Sequence, residues 1–195
     1  KVLDCTLRDG GLMNNHRFDD EFARAVYLAN CAAGVDYMEF GYKADKALYS
    51  RDEYGPWRFC DEDDVRRIIG DDPPPMKLCA MADAGRTDYK RDILPKDKSV
   101  FDCIRVACYI HQIPMAIDML KDAADKGYET TLNLMALSTV PESELRTALA
   151  EIVEKTSVNV LYVVDSFGAL YSEQVRDYVR LFLRYAGADR QVGIH

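Results

Sequence analysis

Arg8 and Asp9 stand side by side just past a short apolar run, and further chemistry-bearing residues fall within or just after later runs: Glu39, Arg105, Asn133, Asp165 with Ser166, and His195. An aspartate and an imidazole are ligands that a divalent cation accepts, and a cation so held polarises a carbonyl oxygen as a Lewis acid. A guanidinium beside the ligand aspartate lies close enough to stabilise an enolate oxygen as its charge develops. Together these groups suit making or breaking a carbon–carbon bond next to a ketone. His16, seven residues after Asp9, is the nearest general-base candidate, since an imidazole titrates near neutral pH. A solvent-facing loop histidine is the plainer reading of the same residue. The plainer reading of the charged set is a network of buried ion pairs, because charges inside a fold persist only when paired or ion-bound.

Positioning such a set requires several strands that end on one side of a fold. Short apolar runs at 2–7, 35–41, 76–81, 101–108, 129–136, 158–164 and 191–195 recur about 30 residues apart, the length of one βαβ unit. Val163-Val164 and Ile104-Arg105-Val106 are near-continuous, as strands covered on both faces should be. Helical period fills the gaps. Phe22, Val26, Ala29 and Ala33 repeat at helical spacing between an N-cap at Asp19 and a terminator at Gly34; Ile113, Ile117, Leu120 and Ala124 repeat it after Pro114; Leu145, Leu149 and Ile152, then Val175, Val179 and Phe182, do the same.

No G-x-G-x-x-G follows the first run, and Gly10-Gly11 is not a phosphate-binding loop, so a doubly wound nucleotide sheet loses its usual signature. The expected fold is therefore α/β, a TIM (β/α)8 barrel. A full barrel takes about 250 residues, so 195 residues and seven strands read as one barrel domain over 1–195, truncated at the seventh strand. In that architecture catalytic groups sit at the C-terminal strand ends.

Composition narrows the partners. The net charge of −8 argues against nucleic acid, which needs a dense basic face. No apolar run is long enough to span a bilayer, and the expected location is cytoplasmic. The six cysteines form no C-x-x-C pair and read as reduced, mostly buried thiols. Asp61-Glu62-Asp63-Asp64 reads as a solvated first helical turn rather than a metal site. Pro73-Pro74-Pro75 stiffens the entry to the third strand. The irregular aromatic segment 42–60 suits a substrate-side loop. A Schiff-base mechanism would need a desolvated lysine, and Lys77 is the one lysine inside a run.

Several of these segments are similar to a known family. Leu3-Asp4-Cys5-Thr6-Leu7-Arg8-Asp9-Gly10-Gly11 resembles the first-strand signature of the HMG-CoA lyase-like (DRE-TIM metallolyase) superfamily. Val35-Asp36-Tyr37-Met38-Glu39-Phe40-Gly41 resembles its second strand. Ile104-Arg105-Val106-Ala107 and Val163-Val164-Asp165-Ser166-Phe167-Gly168-Ala169-Leu170 resemble the fourth and sixth strands of its 4-hydroxy-2-oxovalerate aldolase branch, and Gly193-Ile194-His195 the start of its H-x-H motif. The resemblance implies Asp9 and His195 as metal ligands, with a further histidine two residues beyond His195. It implies Arg8 as the group that steadies a pyruvate enolate, and Glu39, Arg105, Asn133, Asp165 and Ser166 as substrate-contacting or supporting groups. One position departs: the aldolases carry a catalytic histidine three residues after the ligand aspartate, where this chain has Leu12.

The expected function is a divalent-metal-dependent lyase acting on a 2-oxo or 4-hydroxy-2-oxo acid through an enolate. Mn²⁺ or Mg²⁺ is the favoured ion, with Co²⁺ or Zn²⁺ also suited to mixed carboxylate and imidazole ligation. The alternatives are an acyl-CoA-dependent synthase of the isopropylmalate type and a non-catalytic binding barrel. The expected partner is a small-molecule 2-oxo acid, with a homo-oligomer or an additional C-terminal domain in the parent as further expectations.

Overall fold

The computed structural model describes residues 1–70 and 75–195, so the reading of Pro73 and Pro74 lies outside the described residues. The chain forms two compact units, Lys1–Ile104 and Arg105–His195. Strand and helix alternate through both, an incomplete (β/α)8-barrel pattern of seven strands.

In the first unit, β1 (Leu3–Asp4), β2 (Tyr37–Tyr42) and β3 (Lys77–Asp83) pair in parallel, in chain order. The first strand is far shorter than the run 2–7 predicts. Asp4 is the reason: its carboxylate accepts from the Thr6 amide at 3.2 Å and the Thr6 hydroxyl at 2.7 Å. That local bond competes with the strand ladder and starts a helical turn, α1 (Thr6–Gly10). Arg8 and Asp9 therefore stand on a turn of helix, not on a strand end.

Helix α2 (Asp20–Ala33) opens at the predicted cap, where the Asp19 carboxylate accepts from the Phe22 amide at 2.7 Å, and closes at Gly34 with φ 69°. Its buried stripe is Ala23, Tyr27 and Asn30, one residue away from the predicted one. The small side chains favour neither stripe strongly, and Tyr27 brings the larger area to bury. Phe22 remains partly exposed and stacks on Phe18, ring centroids 5.0 Å apart.

Helix α3 (Glu62–Ile69) carries the acidic cluster in its first turn, as predicted. Glu62 departs furthest from the solvated reading, and Asp64, paired with Arg51 and Arg67, is also largely covered. Glu62 is buried, accepts from Lys43 Nζ at 3.1 Å and the Val100 amide at 2.7 Å, and fastens β2 to the segment leading to the next strand. A short helix, α4 (Tyr89–Asp92), follows β3.

Strand β4 (Cys103–Cys108) is buried along its whole length. In the second unit, β5 (Glu129–Leu134), β6 (Val160–Val163) and β7 (Gln191–Ile194) again pair in parallel and in chain order. Helices α5 (Ile113–Asp125), α6 (Glu142–Lys155) and α7 (Ser172–Ala186) bury Ile113, Ile117 and Leu120; Leu145, Leu149 and Ile152; and Phe182. The α6 stripe is the predicted one and the α5 stripe matches apart from Ala124, whereas in α7 Val175 and Val179 are only half-buried and Leu181 and Ala186 join Phe182 inside. The cysteines are all free thiols, four of them buried; burial pushes Cys108 up to about 12, which leaves it without thiolate at neutral pH. Among the described residues no helix is long and apolar enough to cross a membrane.

Candidate active site

The first unit gathers its charged groups on one face of β2 and β3, and a register break in β2 makes this possible. Glu39 pairs with Cys79, but Gly41 pairs with Ala80, so Phe40 is an extra residue in the strand. Alternation alone would set Glu39 and Tyr42 on opposite faces. The bulge restores them to the same face, which Asp83 shares through its register with Cys79 and Met81.

Arg8 reaches this face from α1. Its Nε donates to Glu39 Oε2 at 2.8 Å, and a terminal nitrogen donates to Asp9 Oδ1 at 2.6 Å. Arg8 and Glu39 are both buried, Glu39 completely. Burial opposes the charge on Arg8, but Glu39, Tyr42 and Asp9 outweigh it and hold the guanidinium pKa above its ordinary value. The Tyr42 phenol is pushed up by burial, partly offset by Arg8, so it stays protonated at neutral pH. Burial likewise raises the Asp83 carboxyl, against the pull of Arg58, Arg86 and Arg8.

His16 belongs to the same cluster and corrects the loop reading. It is 1% exposed, packed edge-on against Tyr42 with centroids 5.3 Å apart, and its Nε2 lies 3.5 Å from an Arg58 nitrogen. Glycine at 11 is what admits it, since a Cβ there would collide with the imidazole Nδ1. Burial, reinforced by Arg58 and then Arg8, lowers its pKa to about 4 rather than leaving it near neutral. The unfolded chain binds a proton here below about pH 6.5 and the folded one does not until about pH 4. Stability from this residue is thus present above pH 6.5 and lost as pH falls towards 4. Urea midpoints measured across that window should fall less steeply in His16→Gln than in the parent; identical slopes would contradict the assignment.

Sequence reasoning missed Arg58. The segment 42–60 folds back over the cluster: Trp57 is fully buried and its indole N–H donates to the Phe18 carbonyl at 3.0 Å, while the Gly55 amide donates to the Asn15 carbonyl at 2.8 Å. Arg58 follows Trp57 inward, 5% exposed. The available signal was a lone cation inside the apolar stretch Pro56-Trp57-Arg58-Phe59-Cys60. Lys77, by contrast, lies exposed at the start of β3 with its ammonium over the Tyr37 ring at 5.6 Å, so it lacks the desolvation a Schiff-base lysine needs. The buried lysine is Lys43, which Glu62 and the Cys60 carbonyl engage.

The second unit holds the remaining residues. Asn133, Tyr162 and Gly193 lie in register across β5, β6 and β7. Arg105 is fully buried with its guanidinium over the Tyr162 ring at 4.7 Å. Asn133 is buried and takes a 3.4 Å bond from the Thr131 hydroxyl, and among the described residues its amide nitrogen has no hydrogen-bond partner. Asp165 caps its own loop: its carboxylate accepts from the Leu170 and Ala169 amides, each at 3.0 Å, and these bonds lower its pKa. Ser166 Oγ accepts from the Ala136 amide at 2.9 Å. The His195 amide donates to the Val163 carbonyl at 2.9 Å, and its own carbonyl accepts from the Asp165 amide at 3.0 Å, which places His195 at the end of β7 beside the Asp165 loop.

Among the described residues no group of three or more His, Cys, Asp or Glu side chains gathers as a metal site. Asp9 nevertheless fits a divalent ion. Its side chain is 55% exposed, and Arg8 engages only one of its two oxygens. A carboxylate oxygen held in place by a guanidinium suits a hard cation.

The sequence aligns along its whole length with 4-hydroxy-2-oxovalerate aldolases: 31% identity over 195 residues with one from Rhodococcus opacus and 32% over 196 residues with one from Rhodococcus jostii, in each case covering 56% of the relative. The chain is similar in sequence to 4-hydroxy-2-oxovalerate aldolases. It spans about half the length of these curated relatives. A solved structure described as the N-terminal domain of a candidate aldolase from Bacteroides vulgatus superposes with a TM-score of 0.76 at 26% identity, covering the whole of this chain and 63% of that one. No family model matches the sequence. Against the aldolase pattern, Leu12 is 56% exposed in the turn after Gly11, whereas His16 from the same turn is the imidazole folded into the cluster.

Proposed function

We propose that the full-length protein is a divalent-metal-dependent carbon–carbon lyase that cleaves a 4-hydroxy-2-oxo acid by retro-aldol chemistry, through a 2-oxo acid enolate. The observation that carries this reading is Arg8, locked by buried Glu39 and touching Asp9. A guanidinium fixed in this way meets developing negative charge without reorganising, which is where electrostatic catalysis gains most. A metal bound by Asp9 and His195 would supply Lewis-acid polarisation of the 2-oxo group. Arg8 would then hold the enolate oxygen, and the protonated Tyr42 phenol would donate to it.

His16 is the proposed proton acceptor for the 4-hydroxyl. With its pKa near 4 it is neutral at working pH, the form that accepts a proton, but it is a weak base while two guanidiniums face it. An anionic substrate offsets those charges and raises its proton affinity on binding.

The full-length protein should cleave 4-hydroxy-2-oxo acids, lose turnover on chelation with EDTA, and regain it with Mn²⁺ or Mg²⁺. Asp9→Asn should lower bound metal, measured by elemental analysis, along with turnover. Cleavage indifferent to EDTA would remove the metal from the reading, and no cleavage across the panel would end it.

A further inference from the structure

Arg58 is the least explained charge in the first unit. Arg8 is matched by Glu39 and Asp9, and Lys43 by Glu62. Arg58 is just as buried, yet among the described residues no carboxylate lies within ion-pair distance of it; Asp83 feels its charge only from beyond that distance. The one hydrogen-bond neighbour of Arg58 is the neutral His16 at 3.5 Å, and the arginine Nε is buried without any partner. An arginine does not shed its proton to escape burial, so a lone buried guanidinium costs several kcal/mol unless something compensates it.

Tyrosine rings supply part of that compensation. The guanidinium carbon lies 4.1 Å from the Tyr49 ring centroid, 4.6 Å from Tyr42 and 5.7 Å from Tyr54. Ring faces stabilise the positive charge but accept no strong hydrogen bond from the in-plane N–H donors. What is missing is an anion with oxygens in that plane. Tyr42 also ties Arg58 to the candidate active site, because Arg8 approaches the same ring at 6.0 Å.

We propose that Arg58, walled by Tyr42, Tyr49 and Tyr54, is a substrate-binding residue that takes a carboxylate of the incoming acid. The inference rests on the lyase reading for the identity of that acid, but not for the anion itself. The carboxylate comes either from the reacting 2-oxo acid end or from a second acidic group at the far end of the substrate. The subsite also accounts for the segment 42–60, which closes over the cluster and delivers Arg58 and all three tyrosines.

The test uses the full-length protein, its Arg58→Met and Arg58→Lys variants, and two non-reacting probes, malonate and the uncharged malonamide. Malonate should raise the melting temperature of the parent and malonamide should not; Arg58→Met should lose the malonate shift, and Arg58→Lys should keep a reduced one, having charge without the planar fork. Steady-state kinetics on 4-hydroxy-2-oxopentanoate and on its counterpart with a distal carboxylate, 4-hydroxy-2-oxoglutarate, then locate the contact. A fall in kcat/KM of about 10- to 100-fold, the size of a lost charge-assisted hydrogen-bond pair, on both substrates assigns the reacting-end carboxylate, and a fall on the diacid alone assigns the distal one. If Arg58→Met does not fold, a weakened malonate shift in Arg58→Lys supports the subsite in its place, and an undiminished one overturns it. An Arg58-dependent malonate shift without turnover of either acid would keep the subsite and end the lyase reading. Turnover and malonate response both unchanged in the variants would end the subsite and leave the lyase reading intact.

Discussion

Replacing Glu39 by alanine should destabilise the full-length protein by about 3–5 kcal/mol, because it strands the buried Arg8 charge without its partner. The carboxylate is completely buried and bonds Arg8 Nε at 2.8 Å. Asp9, half exposed, is the carboxylate left to take up the guanidinium. Arg8 would swing towards Asp9 and solvent, and the group that meets the enolate oxygen would leave its place. Turnover should therefore fall by about 10²–10³-fold, the usual cost of losing one preorganised oxyanion donor. Glu39→Gln keeps an acceptor for Arg8 Nε and should recover part of the stability but little of the turnover. Urea denaturation and steady-state kinetics on the same preparations check both effects. A Glu39→Ala protein within about 1 kcal/mol of the parent, the size of an exposed ion pair, would show that the pair holds nothing in place.

Gly41→Ala should be nearly as damaging, for steric rather than electrostatic reasons. A Cβ at this position would collide with the Trp57 carbonyl and crowd the Cys60 thiol. The obstacle is backbone, so no rotamer change relieves it; β2 and the segment carrying Arg58 would have to separate. Overpacking of this kind costs about 1–3 kcal/mol, occasionally more. The loss should appear in thermal melts as a lowered midpoint, with the malonate response weakened alongside it because Arg58 moves with Trp57. An unchanged midpoint would mean that the 42–60 segment is not seated on β2.

Both variants probe features that local pattern does not reveal. Glu39 is visible in the sequence as a charge in an apolar run, but its pairing with Arg8, 31 residues earlier, is not. Nor is the bulge at Phe40. A strand read by strict alternation puts Tyr42 away from Glu39, and one inserted residue reverses that. His16 follows the same logic: a polar residue in a loop reads as solvated, and only the approach of Gly11, Tyr42 and Arg58 buries it. Asp165 illustrates the opposite outcome. Its carboxylate is spent on the amides of its own loop, a local role that the short separation from Ala169 and Leu170 made readable in principle.

Strand number, the order of the longer helices and the caps at Asp19 and Gly34 were determined by the sequence alone, because each depends on residues within a few positions of one another. The stripes of α5 and α6 were equally readable, since their large aliphatic side chains leave one face to bury, whereas of the expected α7 stripe only Phe182 is buried. The first strand's early end, the stripe of α2 and the whole environment of Arg58 were decided by the tertiary structure. They depend on groups brought together from distant segments, where desolvation and backbone contact outweigh what any short stretch of chain prefers.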